Sequence, residues 1–136
     1  MHYSEPFQFN RELDHAYLDQ LYEGDLDYAI DMFDSFLEYS LPVFYALPDL
    51  LEQRRFEALQ NDVHRLKPAF PMVGLSLLTP TLQQIEQAAG KPVDPDRARA
   101  GIEEGGRIFD RFLPLIKSEL ARMKAIAEGS HAEKSQ

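Results

Sequence analysis

From Leu26 to Met123 the large apolar residues of this chain recur at steps of three and four, the spacing of one face of an α-helix. Strand-like alternation is absent, and so are the Asn-Gly and Asp-Gly pairs that turn hairpins. The clearest run is Leu59, Val63, Leu66, Phe70 and Val73, at spacings of four, three, four and three. In a strand such a run would scatter over both faces, so the chain is constrained to an all-α fold.

Start and stop signals divide the pattern. Asn10 caps a short first helix over residues 10–22, with Leu13, Tyr17 and Leu21 on one face, and Gly24 ends it. Asp25 caps a longer second helix with the stripe Leu26, Ile30, Phe33, Leu37, Leu41, Phe44, Leu47 and Leu51. Pro42 and Pro48 interrupt that stripe without changing its phase and are expected as kinks. The third helix carries the run from Leu59 to Val73, and Gly74 follows it. Thr79-Pro80 starts a fourth helix with Leu82, Ile85 and Ala89, and Gly90 stops it. Asp94-Pro95 starts the last, with Ile102, Phe109, Phe112, Ile116, Leu120 and Met123, and Pro114 is expected to kink it. Short loops make neighbours antiparallel. The expected architecture is an antiparallel up-and-down four-helix bundle with a short extra N-terminal helix. One domain covers residues 1–126, and residues 127–136 form a polar tail expected to be disordered.

A chain of 136 residues can bury about two-thirds of its unfolded surface, enough for a core without disulfides or metal. The lack of cysteine removes thiolate nucleophiles, Cys-based zinc sites and iron–sulfur clusters, and suits a reducing compartment such as the cytoplasm. The N-terminus does not read as a secretory signal, and no stretch is apolar enough for a membrane span. Acidic residues outnumber basic ones 23 to 14, for a formal charge of -9. A surface this negative repels phosphate backbones and anionic lipid, so neither nucleic acid nor membrane is expected as a partner.

Most templates for chemistry fail. There is no phosphate-binding glycine loop, no dinucleotide fingerprint, no zinc-protease helix and no nucleophile elbow. Asp25, Asp27, Asp31 and Asp34 lack the glycine and terminal glutamate of a calcium loop and read as a solvated helix face. Of four histidines, His2 and His131 lie in the tails and His15 reads as a surface residue. His64 differs. It sits mid-helix beside Val63, one step around from the core stripe, with Lys67 on the same face about 5–6 Å away between Cβ atoms. The uncharged surroundings, Gln60, Asn61, Pro68 and Pro71, leave room for a partner to dock. A neutral imidazole is a nucleophile near pH 7 and can take a phosphoryl group on a ring nitrogen, while an ammonium beside it offsets the charge on the transferring oxygens. No nucleotide loop accompanies the pair, so the remaining machinery must come from a partner. A His and a Lys three apart on a helix are by themselves common.

The longer string is more specific. Residues 62–75, DVHRLKPAFPMVGL, resemble the active-site helix of histidine-containing phosphotransfer (HPt) domains. That pattern is a His, a hydrophobic residue two on, a Lys three on and a Gly ten on, here His64, Leu66, Lys67 and Gly74, followed by Leu75. FEALQNDVHRLK and LQQIEQAAG are similar to the family's approach to the histidine and to its following helix. The resemblance covers about residues 13–123 and is specific over 56–90.

The resemblance implies a phosphocarrier of multistep phosphorelays, and not a turnover enzyme. His64 would take a phosphoryl group from a receiver-domain aspartyl phosphate and give it to another receiver aspartate. Lys67 would stabilise the transferred group. Glu86 falls where the family often has Glu or Gln and would orient or contact the imidazole. The partners implied are receiver domains of response regulators and of hybrid sensor histidine kinases, in a bacterial cytoplasm. The chain would act as a monomer with no cofactor of its own, and Mg²⁺ would be held by the receiver. Two other readings compete: a helical module that binds a receiver or kinase domain without phosphotransfer, and a small hydrolase or metal-dependent bundle, for which no second catalytic group is identifiable. The sequence departs from the family pattern at Pro68, where Gly is usual, and at Pro71, where a small residue is usual. This Lys-Pro variant resembles that of a subset of bacterial members. Two prolines are expected to loosen the helix ladder at residues 61–64 and at Lys67.

Overall fold

The computed structural model describes residues 7–135, which places His2 outside the described residues, together with the His131 side chain. The first helix, α1 (His15–Tyr22), starts later than the sequence suggests. Asp14 caps it, accepting from the Tyr17 amide at 3.3 Å, while Asn10 Oδ1 accepts from the Glu12 amide at 2.8 Å and closes the turn before it. Leu13 is buried ahead of the helix, so it does not set the helix face. The face is Leu18 and Tyr22, and Tyr17 is exposed.

The second helix is a broken rod: α2 (Leu26–Ser35), a π-turn (Phe36–Ser40), α3 (Leu41–Tyr45) and α4 (Leu47–Glu52). Asp25 caps it through the Tyr28 amide at 3.0 Å. Pro42 has no N–H for the Glu38 carbonyl, and its ring would press against that oxygen in a regular ladder. The π-turn, closed by the Leu41 amide on the Phe36 carbonyl, widens the ladder just ahead of it. The break at Ala46 precedes Pro48, which lies in the first turn of α4. The two expected kinks are thus a π-turn and a break, and Phe33, Phe44, Leu47 and Leu51 are buried as the stripe requires.

The third helix differs most from expectation. α5 (Phe56–Leu66) ends well before Val73. Pro68 and Pro71 cannot donate to the carbonyls of His64 and Lys67, and the chain tightens instead: the Ala69 amide bonds Leu66 O at 3.0 Å, and a 3₁₀ turn (Pro71–Val73) follows. The prolines therefore end the α-helix and do not loosen it, for the Lys67 amide keeps its bond to Val63 O at 3.0 Å. The burial pattern survives the change, since Leu59, Val63, Phe70 and Val73 are all fully buried.

Gly74 turns the chain at φ 85°. Its carbonyl accepts from the Asp14 amide at 2.8 Å, and a Cβ placed on it would lie 2.7 Å from the Leu13 Cβ. Both a left-handed backbone and a close approach demand glycine here. Gly74→Ala is expected to cost about 2–4 kcal/mol from the two effects together, read as a lower urea midpoint with unchanged m-value.

A second 3₁₀ turn (Ser76–Leu78) leads into α6 (Thr79–Ala89), and α7 (Pro95–Ser135) follows, its Asp94 cap accepting from the Arg97 amide at 3.1 Å. Pro114 sits inside α7 without ending it. The segment from Ala127, expected as a disordered tail, continues α7 to Ser135; it holds no proline, and its Ala, Glu and Lys residues favour helix. The rod α2–α4, α5, α6 and α7 pack as an all-α helical bundle with α1 laid against the 3₁₀ turn after α5. At its centre Phe70 packs edge-on against Phe36 (5.1 Å), Phe44 (5.3 Å) and Phe109 (5.6 Å). The Glu119 carboxylate, only 3% exposed, holds the N-terminal segment: it accepts from Arg122 and from the Asn10 amide at 3.0 Å. No helix among the described residues is long and apolar enough to cross a membrane.

Candidate functional site

His64 lies on the last full turn of α5, where the core stripe turns Val63 and Leu66 inward and leaves the imidazole outside. Its side chain is 70% exposed. Across the groove, α6 presents Glu86, whose Oε2 lies 2.6 Å from His64 Nδ1. The other carboxylate oxygen, Oε1, accepts from Lys67 Nζ at 2.5 Å. Lys67 Nζ also donates to Gln83 Oε1 at 2.7 Å. One carboxylate therefore ties together the imidazole and the ammonium.

The Glu86 carboxyl is held below its ordinary range, chiefly by the Lys67 hydrogen bond and further by His64, against a desolvation that pushes the other way. It is therefore ionised at neutral pH and acts as an acceptor. A neutral imidazole beside it donates Nδ1–H and presents the lone pair of Nε2 outward. Nε2 makes no hydrogen bond among the described residues. One ring nitrogen is thus held from behind, and the other is left without a partner among the described residues on an exposed side chain.

The other sequence-predicted residues divide. Asn61 and Pro68 are exposed beside His64, and Pro71 is half-buried. Gln60 is turned toward α6, where its Nε2 donates to the Glu86 carbonyl at 3.2 Å, so it cross-links the two helices. Asp62 and Arg65 bond each other on α5. Sequence reasoning missed Gln83. Its signal was available, for Gln83 and Glu86 are three apart and share one face of α6. No group of His, Asp and Glu able to hold a metal ion occurs among the described residues.

A family model described as Hpt domain matches residues 31–126. No curated protein and no solved structure matches the chain. The matched span includes His64, Lys67, Gly74, Gln83 and Glu86, and leaves α1 outside.

Proposed function

The chain belongs to the Hpt domain family, the histidine phosphotransfer modules of two-component phosphorelays, and on that premise we propose that His64 is its phosphoacceptor. The observation that carries this reading is the pairing at one imidazole of an anchored Nδ1 with an outward, unbonded Nε2. In the proposed step, Nε2 attacks the phosphorus of a receiver's aspartyl phosphate. The Nε2–P bond forms, the P–O bond to the aspartate breaks, and the receiver's carboxylate leaves with the electron pair. The return step onto a second receiver reverses these bonds. Mg²⁺ sits on the receiver in both directions, and the chain carries the group without turning over a substrate.

Lys67 is proposed to stabilise the phosphoryl oxygens. Its ammonium is held beside the imidazole and is free to exchange Gln83 for a phosphoryl oxygen, as a flexible point charge can. Lys67→Ala is expected to slow transfer by about tenfold, the rate equivalent of ~1.4 kcal/mol, while leaving the site of phosphorylation unchanged. Rapid-quench transfer from a phosphorylated receiver, wild type beside variant, checks it.

Asn61 and Pro68 are proposed as part of the docking face, in a receiver contact of small, transient size. The decisive experiment is incubation with phosphorylated receiver domains of the same organism. Acid-labile label mapped to His64 supports the reading. No label from any receiver, with helical content and cooperative unfolding intact, leaves a module that binds without transfer.

A further inference from the structure

The residue behind His64 is a carboxylate and not an amide, and that charge bears on the phosphorylated form. Resting on the reading of His64 as phosphoacceptor, we infer that Glu86 is a positioning residue that keeps the proton on Nδ1 of phosphorylated His64 and so keeps the phosphoryl group ready to leave.

The argument follows the proton. When the Nε2 lone pair forms its bond to phosphorus, the Nδ1 proton stays where it is, and the ring becomes a cation. If that proton remains, onward transfer breaks the Nε2–P bond and releases a neutral imidazole. If Nδ1 has lost it, the same bond must release an imidazole anion, a far poorer leaving group. Readiness to transfer therefore depends on how firmly Nδ1 holds its proton.

Glu86 Oε2, 2.6 Å from Nδ1, favours the charged ring both by hydrogen bonding and by its own charge. Its position is fixed from two sides: Lys67 holds Oε1, and Gln60 holds the backbone carbonyl. The charged groups that face the ring are few. α6 contributes Glu86, the end of α5 contributes Lys67, and Asp62 and Arg65 of α5 bond each other. Lys67 opposes the ring cation, and a phosphoryl group on Nε2 takes the place of Gln83 at its ammonium, which keeps its bond to Glu86 Oε1. A glutamine at 86 could accept the same hydrogen bond but would bring no charge.

Phosphoramidate, a small phosphoryl donor that needs no protein partner, tests this directly. Its P–N bond breaks as Nε2–P forms, and ammonia leaves. Wild type, Glu86→Gln, Lys67→Met and His64→Gln are each treated, and the phosphohistidine ³¹P signal is titrated with pH. The ring midpoint is expected to fall in Glu86→Gln, the effect of removing a neighbouring opposite charge. Between the two midpoints, phosphoryl release from that variant is expected to slow in step with the lost protonated fraction. Lys67→Met is expected to leave the midpoint unchanged or raised. An unchanged midpoint in folded Glu86→Gln overturns the inference. So does an equal fall in Lys67→Met, which would trace the midpoint to an ordered network and not to charge. Absence of phosphohistidine from wild type, or the same signal from His64→Gln, overturns the carrier reading itself and the inference with it.

Discussion

Replacing His64 by glutamine is expected to abolish phosphoryl acceptance and to leave stability within about 0.5 kcal/mol of wild type. The chemical half of this follows from the side chain. A glutamine amide nitrogen has no available lone pair, so nothing at position 64 can attack phosphorus. None of the other described histidines can stand in, because His15 lies on α1 without the Lys67, Gln83 and Glu86 set around it. The stability half follows from exposure. The imidazole is 70% exposed and supports no core contact, and its one protein partner, Glu86, keeps Lys67. Losing one hydrogen bond at such a surface costs little. The check is radiolabel from a phosphorylated receiver alongside urea unfolding. Label persisting on the variant would place the acceptor elsewhere. A loss of several kcal/mol with transfer intact would make His64 a structural residue.

How much of this was legible in sequence depended on whether the deciding contact was local. The run from Leu59 to Val73 could be read because helix burial repeats with the chain's own period, and all five residues are buried. The caps at Asp25 and Asp94 are equally local, each answered by an amide three residues on. The start of α1 was not legible, because Leu13 is buried by Gly74, far along the chain, and not by its helical neighbours. The prolines at 68 and 71 were visible, but their consequence turned on what the freed backbone did next. Tightening into turns keeps Phe70 and Val73 in the core, and nothing in the spacing distinguishes that from a loosened helix. Glu119 was missed for a related reason. On a helix wheel it reads as another solvated acid, and its burial rests on the Asn10 amide, 109 residues away. At the site itself, His64 and Lys67 share one helix face and could be read as a pair. Glu86 entered only through family resemblance, since 22 residues separate it from the imidazole that it holds.

Phe70 provides the opposite test, for it lies three residues beyond Lys67 and yet faces wholly inward. Its ring is fully buried, and it meets Phe36, Phe44 and Phe109 edge-on, one each from the π-turn, α3 and α7. Phe70→Ala removes the ring that these three pack against and leaves a cavity that they cannot close without moving the helices. The expected loss is about 3–5 kcal/mol, a large part of the roughly 5–15 kcal/mol that holds such a domain together. In thermal unfolding this corresponds to a drop of about 10–20 °C for a chain of this size. The site should fare differently. His64, Lys67 and Glu86 are placed by α5 and α6, whose own packing runs through Leu59, Val63, Leu82 and Ile85, all fully buried. Below its melting transition, then, the variant is expected to accept phosphoryl from phosphoramidate at close to the wild-type rate per folded molecule. A stability change under about 1 kcal/mol would mean that the aromatic cage is not the centre of the core. Loss of acceptance in fully folded protein would mean that Phe70 also sets the end of α5, and with it the distance between Lys67 and the imidazole.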